Sequence, residues 1–372
     1  MKIIKKLINM IFGLFPINNK KIMLECGRNR VDDNPFAIYK YIKKNNITEF
    51  NVKFLVKKGT DTSMLDKKDV CYYRTIKGLY HLATSKYWIR SQSIGGIIEK
   101  RKKQIYIQTW HGCGIGKKMG NDITGETTIL EHAKPWDFLI ATDEENKKIM
   151  CSSTGIDEKI AIILGGATTD FIVNHTNEDV KRIKKEVGIS KTNKKIVLYA
   201  PTFRDDELGK KVSLKINSLA SLKDYIFLIR LHPLMNNQIK DVKLPKNFIN
   251  VCDYPDVQDL LIISDILISD YSSIFFNFAI LERPMIFYTY DYDEYMSTRG
   301  FYLEYKKDVP GDIVYSEKEL FELLKTKDFN SEKNKNKIKK FNERFNNYHD
   351  GHVCERIIKL LQENYFDKHI EK

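Results

Sequence analysis

Four short polar segments, each directly after an apolar run, hold the residues with the clearest chemical capacity. Gln108-Thr109-Trp110-His111-Gly112 closes the run 105–110. A neutral imidazole at His111 can accept a proton from an attacking alcohol. Gly112, Gly114 and Gly116 behind it would let backbone approach a substrate, although spacing alone favours a structural histidine beside a glycine turn. Ala200-Pro201-Thr202-Phe203-Arg204-Asp205-Asp206 follows the run 195–200, and Arg230-Leu231-His232-Pro233 follows 225–231. Arg230 and His232 alternate along an extended segment and so share a side. A cationic pair there suits a pyrophosphate, because arginine grips two oxygens at once. The plain alternative is a salt-bridged Arg230 and a core histidine. The fourth segment begins at Asp270-Tyr271-Ser272-Ser273, where either serine is expected to cap the helix that follows. Free backbone N–H groups at that helix start, with two hydroxyls beside them, would form an anion site.

The elements that must position these segments are legible as runs. Residues 21–26, 51–56, 86–91, 105–110 and 137–142 read as one series of buried strands, and 195–200, 225–231, 265–270 and 284–290 as a second. Apolar runs of four to seven residues without alternation imply strands covered on both faces, as in a parallel sheet. Asn34-Pro35 is expected to start a helix through Lys44, and Asn177 to cap one that stops at Gly188. From about 316 onward the pattern is helical. The polar stretch 171–178 reads as a hinge, which divides the chain into 17–174 and 175–372. In open parallel sheets ligands bind beyond the carboxyl ends of strands, where all four segments lie.

A length of 372 residues suits two domains, and 42% hydrophobic content is enough to bury both. The net charge of +13 points to a negatively charged partner without choosing among nucleic acid, anionic lipid and phosphate-bearing substrates. The basic residues are dispersed, which argues against a nucleic-acid groove. Cys26, Cys71, Cys113, Cys151, Cys252 and Cys354 are scattered without metal-ligand spacing and read as reduced thiols in a cytoplasmic protein. No apolar run is long enough to span a bilayer. Residues 1–16 instead show helical period. Ile3, Ile4, Leu7, Ile8, Ile11 and Phe15 share one face, opposite Lys2, Lys5, Lys6 and Asn9. Such a helix either lies in anionic headgroups or packs on its own domain.

The segments QTWHG, YAPTFRDDE, RLHP, RGFY and the long run from Ser269 to Tyr295 resemble, in order and spacing, the CDP-glycerol glycerophosphotransferase family of teichoic-acid primases and polymerases. The resemblance covers about residues 21–365. It implies an α/β GT-B fold: two Rossmann-like domains with an interdomain cleft, acceptor side first and CDP-donor side second. It further implies His111 as general base and His232 as the histidine at the donor pyrophosphate, with Arg230 beside it. Ser272 and Ser273, after Asp270, match the phosphate-binding helix start. Thr202 and Arg204 match the donor loop, and Arg299 heads RGFY. Gly112, Gly114 and Lys117 fall in the acceptor-side loop. Two departures stand out: the family pattern WHGTPLK is replaced by residues 110–117 without the proline, and a GYPRND-like element is replaced by Gly165-Gly166-Ala167-Thr168-Thr169-Asp170.

The resemblance implies transfer of glycerol phosphate or ribitol phosphate from a CDP-polyol to a hydroxyl of a lipid-linked teichoic-acid or capsular acceptor. It places a peripheral enzyme at the cytoplasmic membrane face. No cofactor is expected, and no metal is required, although Asp205-Asp206 keeps a metal site formally open. The oligomeric state is left open. Two rivals stand beside this expectation: a GT-B glycosyltransferase using a nucleotide sugar, and a basic membrane- or nucleic-acid-binding protein without catalysis.

Overall fold

The computed structural model describes residues 2–27, 30–92, 96–202, 204, 216–232, 235–240, 242–326, 329 and 331–370, the side chains of residues 2, 237, 238, 298 and 299 excepted. Asp205-Asp206 and the side chain of Arg299 therefore lie outside the described residues. The chain forms two compact units. Met1–Gly112, Met119–Asp170 and Tyr348–Lys372 make the first; Cys113–Lys118 and Phe171–Asn347 make the second.

The first unit is built on a seven-stranded sheet of β1 (Asn18–Glu25), β2 (Asn51–Val56), β3 (Val70–Tyr72), β4 (Ser85–Arg90), β5 (Ile105–Gln108), β6 (Phe138–Ala141) and β7 (Ala161–Ile163). Its order is β3-β2-β1-β4-β5-β6-β7, and every pairing is parallel. The second holds six strands: β8 (Lys195–Tyr199), β9 (Tyr225–Ile229), β10 (Phe248–Asn250), β11 (Ile266–Ser269), β12 (Met285–Tyr288) and β13 (Asp312–Val314). Their order, β10-β9-β8-β11-β12-β13, is again all parallel. Both sheets run outward in two directions from a central strand, the Rossmann-like order, with topological switch points at β1/β4 and β8/β11.

Both faces of the second sheet are covered, as the unbroken apolar runs require. Leu198 and Leu267 enter one buried cluster, and Val197, Ile266 and Ile268 enter the cluster on the opposite face. Each such side chain contributes about 1.5–3 kcal/mol through burial.

Several helix starts differ from the sequence expectation. Helix α1 spans Lys2–Gly13, α2 Asp33–Lys44 and α3 Ile76–Thr84. The N-cap of α2 is Asp32, so Asn34 is not a cap. The helix Asn177–Glu186 is capped by Thr176, whose hydroxyl and the Asp179 carboxylate form a reciprocal capping box. Ser273 sits at the N-cap of Ile274–Ala279 in αR backbone and makes no side-chain cap bond. A cap needs an extended backbone at that position to turn its oxygen back onto the helix.

The terminal residues 348–372, read with the second unit from the sequence, pack in the first. Val353, Ile357, Ile358 and Leu361 of the helix Val353–Gln362 join the core formed by Ile22, Leu24, Phe36 and Phe54. The Asp170 carboxylate accepts from the backbone N–H groups of Val353 (2.8 Å) and Cys354 (2.7 Å), fixing that helix start. An apolar helix face announces that it will be buried, not against which sheet.

Candidate active site

In the first unit the turn after β5 is held at every step. The Gln108 side chain accepts from the Trp110 N–H at 2.9 Å, and the Thr109 N–H donates to the Arg90 carbonyl at 2.8 Å. Trp110 has φ +52° and Gly112 φ +77°. Glycine adopts the left-handed region freely, whereas a tryptophan there carries strain of about 1–3 kcal/mol and stays only where its surroundings hold it. The Trp110 indole stacks on the His111 imidazole, with centroids 4.6 Å apart and planes at 24°, and meets Trp136 edge-on. His111 is thus half-buried and oriented by an aromatic face.

Two residues hold this turn from the start of α2: Asn34, expected from the sequence only as a helix start, and Asp33, to which the sequence assigns no role. Asn34 reaches the carbonyls of Thr109 and Trp110, and Asp33 receives the Gly112 N–H. Burial, and then the neighbouring Asp32, push the Asp33 carboxyl up to about 7. Their signal in the sequence was position alone: they follow β1, at the switch point.

In the second unit the loops after β8 and β11 meet at the other switch point. The Thr202 N–H donates to Asp270 Oδ1 at 2.8 Å, and the Ser269 hydroxyl donates to the Ala200 carbonyl at 2.8 Å. Arg204, expected as a donor-loop cation, is buried and clamped. Its Nε and Nη2 donate to the two Asp291 oxygens at 2.5 and 3.1 Å, and Nη1 lies 2.9 Å from Asp270 Oδ2 and 2.7 Å from the Thr202 carbonyl. The guanidinium also lies over the rings of Tyr271 and Tyr295, each 5.1 Å from its centroid. Those two rings stack at 3.8 Å, and the Tyr271 hydroxyl donates to Asp291. Asp291 and these tyrosines lie inside the segment that carried the family resemblance, yet type and spacing gave no sign that they cage an arginine.

Arg230 is likewise buried, and its Nη1 donates to the carbonyls of Val251 (2.9 Å), Cys252 (3.0 Å) and Tyr254. It ties the end of β9 to the loop beyond β10. His232, two residues on, is half-buried, as are Thr202 and Ser272, while Ser273 is exposed.

The segment 112–117 is divided. Gly112 belongs to the first unit, whereas Gly114 and Lys117 pack within the second. Gly114 lies so close to Phe276 that a Cβ would come within 2.2 Å of the ring. Close packing, and not substrate approach, accounts for this glycine. The Gly116 carbonyl accepts from the Tyr302 N–H at 2.8 Å, and Lys117 forms an antiparallel bridge with Phe301. Lys117 Nζ lies 3.4 Å from Thr202 Oγ1 and over the Tyr295 ring, beside the loop after β8. Among the described residues no cluster of three or more His, Cys, Asp or Glu side chains could hold a metal ion.

Helix α1 docks on the first unit through its polar side. Asn9 donates to the Ile97 carbonyl and accepts from the Glu99 N–H, both at 2.8 Å, and Lys5 pairs with Glu99. Ile8 and Phe12 are half-buried, whereas Ile3 is 84% exposed, Ile4 64% and Leu14 83%. Among the described residues no helix is long and apolar enough to cross a membrane.

Comparison with known proteins agrees with this architecture. The family model for CDP-Glycerol:Poly(glycerophosphate) glycerophosphotransferase matches residues 7–363. The chain is 33% identical over 377 residues to the teichoic acid poly(glycerol phosphate) polymerase of Bacillus spizizenii, covering 94% of each. It is 30% identical over 390 residues to the teichoic acid glycerol-phosphate transferase of Staphylococcus aureus, covering 96% of this chain and 98% of that one. A teichoic acid poly(ribitol-phosphate) polymerase of Bacillus spizizenii is 29% identical over 369 residues, of which the chain spans 57%. Among solved structures, a variant of the wall teichoic acid polymerase TagF soaked with CDPG superposes with a TM-score of 0.85 at 29% identity, over 99% of this chain and 95% of that chain.

Proposed function

Because the chain belongs to the CDP-glycerol:poly(glycerophosphate) glycerophosphotransferase family, we propose that it moves glycerol phosphate from CDP-glycerol to a hydroxyl of a teichoic-acid-type polymer and releases CMP. It is a CDP-polyol phosphotransferase with an α/β, GT-B-type fold. One observation carries the choice of glycerol over ribitol. The two relatives matched along nearly their whole length, at 94% and 98%, are glycerol-phosphate enzymes; a ribitol-phosphate polymerase is matched over 57%, a partial coverage that some glycerol-phosphate polymerases share.

In the reaction the acceptor oxygen forms a bond to the β-phosphorus of the donor, and the bond from that phosphorus to the CMP oxygen breaks. The hydroxyl proton passes to His111. Negative charge grows on the departing CMP, and His232 with Ser272 and Ser273 stabilises it. Thr202 and Lys117 lie beside the loop after β8 and extend the polar surface of the second unit. Arg204, Asp270 and Arg230 hold the loops that carry these groups. What supports this assignment is burial: the proposed contacting residues keep partial or full exposure, while the clamping residues are buried.

We place the enzyme at an anionic membrane surface, attached through α1. The outward apolar side chains Ile3, Ile4, Leu7, Ile11 and Leu14, with Lys6 beside them, support that attachment. A lipid-linked acceptor on the same surface would gain from the raised effective concentration.

The test is a donor comparison. Purified enzyme is incubated with a lipid-linked acceptor and CDP-glycerol, CDP-ribitol or a UDP-sugar, followed by product mass and CMP release. Products should grow in glycerol phosphate steps with CDP-glycerol. Turnover with CDP-ribitol alone would overturn the donor, and turnover with the nucleotide sugar alone would overturn the reaction class.

A further inference from the structure

Asn34 is 1% exposed and bonded at every polar atom of its carboxamide. Its Nδ2 donates to the Thr109 carbonyl at 3.0 Å and the Trp110 carbonyl at 3.2 Å, and its Oδ1 accepts from the Thr168 N–H at 3.1 Å. These partners settle which end is which, since the carbonyls need donors and the N–H an acceptor. One side chain thus fixes two successive peptide groups of the turn that carries His111, and anchors them to the loop after β7. Asp33 completes the hold. Its Oδ1 accepts from the Gly112 N–H at 3.3 Å and from the Asn34 N–H at 2.9 Å, and it does so from backbone at φ +65°. His111 therefore sits between two residues of positive φ, with the peptide on one side held by Asn34 and the peptide on the other by Asp33.

We propose that Asn34 and Asp33 are positioning residues for His111, locking the Trp110–Gly112 turn in the conformation that presents the imidazole to the acceptor hydroxyl. The proposal rests on the reading of His111 as the base. Neither residue touches substrate. They act by denying the turn its alternatives, and a misplacement of the base by about 1 Å can cost on the order of 100-fold in rate.

Asp33 adds a dependence on pH. Around it lie Asp32 and Arg30 on its own segment, Cys26 after β1, Ser91 after β4, and the Gly112 N–H with the adjoining His111 after β5. Its carboxyl, held up at about 7, carries a full charge onto the Gly112 N–H only above neutrality.

The experiment measures kcat and donor KM with CDP-glycerol for wild type, Asn34→Ala, Asp33→Asn, His111→Ala and the Asn34→Ala/His111→Ala double variant. Asn34→Ala should lower kcat about 10- to 100-fold while donor KM stays within about twofold. The double variant should be no slower than His111→Ala, since a residue acting only through His111 has nothing left to position. A further loss of the same size in the double variant would overturn the proposal. So would near-normal kcat in Asn34→Ala beside an inactive His111→Ala, which leaves the base reading standing. An active His111→Ala would instead remove the base reading, and this proposal with it. If Asn34→Ala fails to fold, Asp33→Asn decides, because asparagine tolerates positive φ well. Its deficit against wild type should widen about two- to fivefold between pH 6 and 8. Wild-type kcat in Asp33→Asn at both pH values would refute the positioning role, and a deficit that is flat with pH would refute the contribution of its charge.

Discussion

Replacing Arg204 by alanine separates a clamp from a ligand. In the folded protein the guanidinium faces two carboxylates: Asp291, gripped through Nε and Nη2, and Asp270, approached by Nη1. The side chains of Arg204, Asp270 and Asp291 are 9%, 2% and 14% exposed, so solvent screens the set little. Without the cation, two buried carboxylates remain near each other without their common partner. Removal of one member of such a set costs about 3–5 kcal/mol. At about 2–4 °C per kcal/mol for a unit of this size, the melting temperature should fall about 6–20 °C. Urea unfolding followed by far-ultraviolet circular dichroism reads the loss, and calorimetric titration with CDP-glycerol reads donor affinity separately. Arg204→Ala combined with Asp291→Ala should be less destabilised than the sum of the two single variants, by about 1–3 kcal/mol. An Arg204→Ala protein that unfolds at the wild-type urea concentration, yet binds donor poorly, would refute the clamp. The arginine would then be a donor ligand, as its place in the loop first suggested.

Gly114→Ala should destabilise the second unit by about 1–3 kcal/mol, because the added Cβ would meet the buried Phe276 ring at 2.2 Å; an unchanged urea midpoint would show that the segment 113–118 gives way freely. His232→Ala should weaken leaving-group stabilisation by about 2–4 kcal/mol in kcat/KM without lowering the melting temperature; an unfolded variant would make it a core histidine. Burial, then Arg356, holds the His349 imidazole down at about 4 from its ordinary 6.5. The unfolded chain therefore takes up the proton first, and stability is lost as pH falls from 6.5 towards 4, by about 2 kcal/mol at pH 5; His349→Gln should show a flatter dependence, and equal slopes would refute it. Deleting residues 1–15 should abolish most flotation with anionic liposomes, and binding by the full chain should weaken with salt without vanishing; equal flotation of both proteins would rule out α1 as the anchor.

All nine apolar runs read from the sequence contain strands of the two sheets. The four strands that escaped notice, β3, β7, β10 and β13, are the outermost strand at each edge of each sheet. Each is three residues long and only partly buried, so none shows the unbroken apolar run that marks a central strand. The start of α2 differs from the expectation because the residue suited to cap it has another partner. Asn34 looked like a cap because its type suits one, but its carboxamide is drawn to carbonyls 75 and 76 residues away. The same limit applies to the site. The polar loops were legible as loops, since they follow buried strands. That Arg204 serves an aspartate 87 residues on, and that 348–372 joins the first unit, depends on distant parts of the chain that local pattern does not encode.

Chemical type alone ranks arginine as the first candidate to meet a pyrophosphate, and burial reverses that ranking. Arg204, Arg230 and Asp270 are each less than one-tenth exposed and already hold backbone or one another. A buried, paired guanidinium that turned to a substrate would strand its carboxylates, so the cost of release would oppose any gain from binding. A half-buried imidazole, hydroxyl or ammonium carries no such penalty, because water still serves it before a substrate arrives. His111, His232, Thr202, Ser272 and Lys117 are of that kind. The buried ions and Asn34 hold the strand-end loops to a narrow range of conformations, and the half-buried groups on those loops inherit that precision. A change in a buried residue should thus register in kcat and in stability together, and a change in a half-buried one in turnover alone.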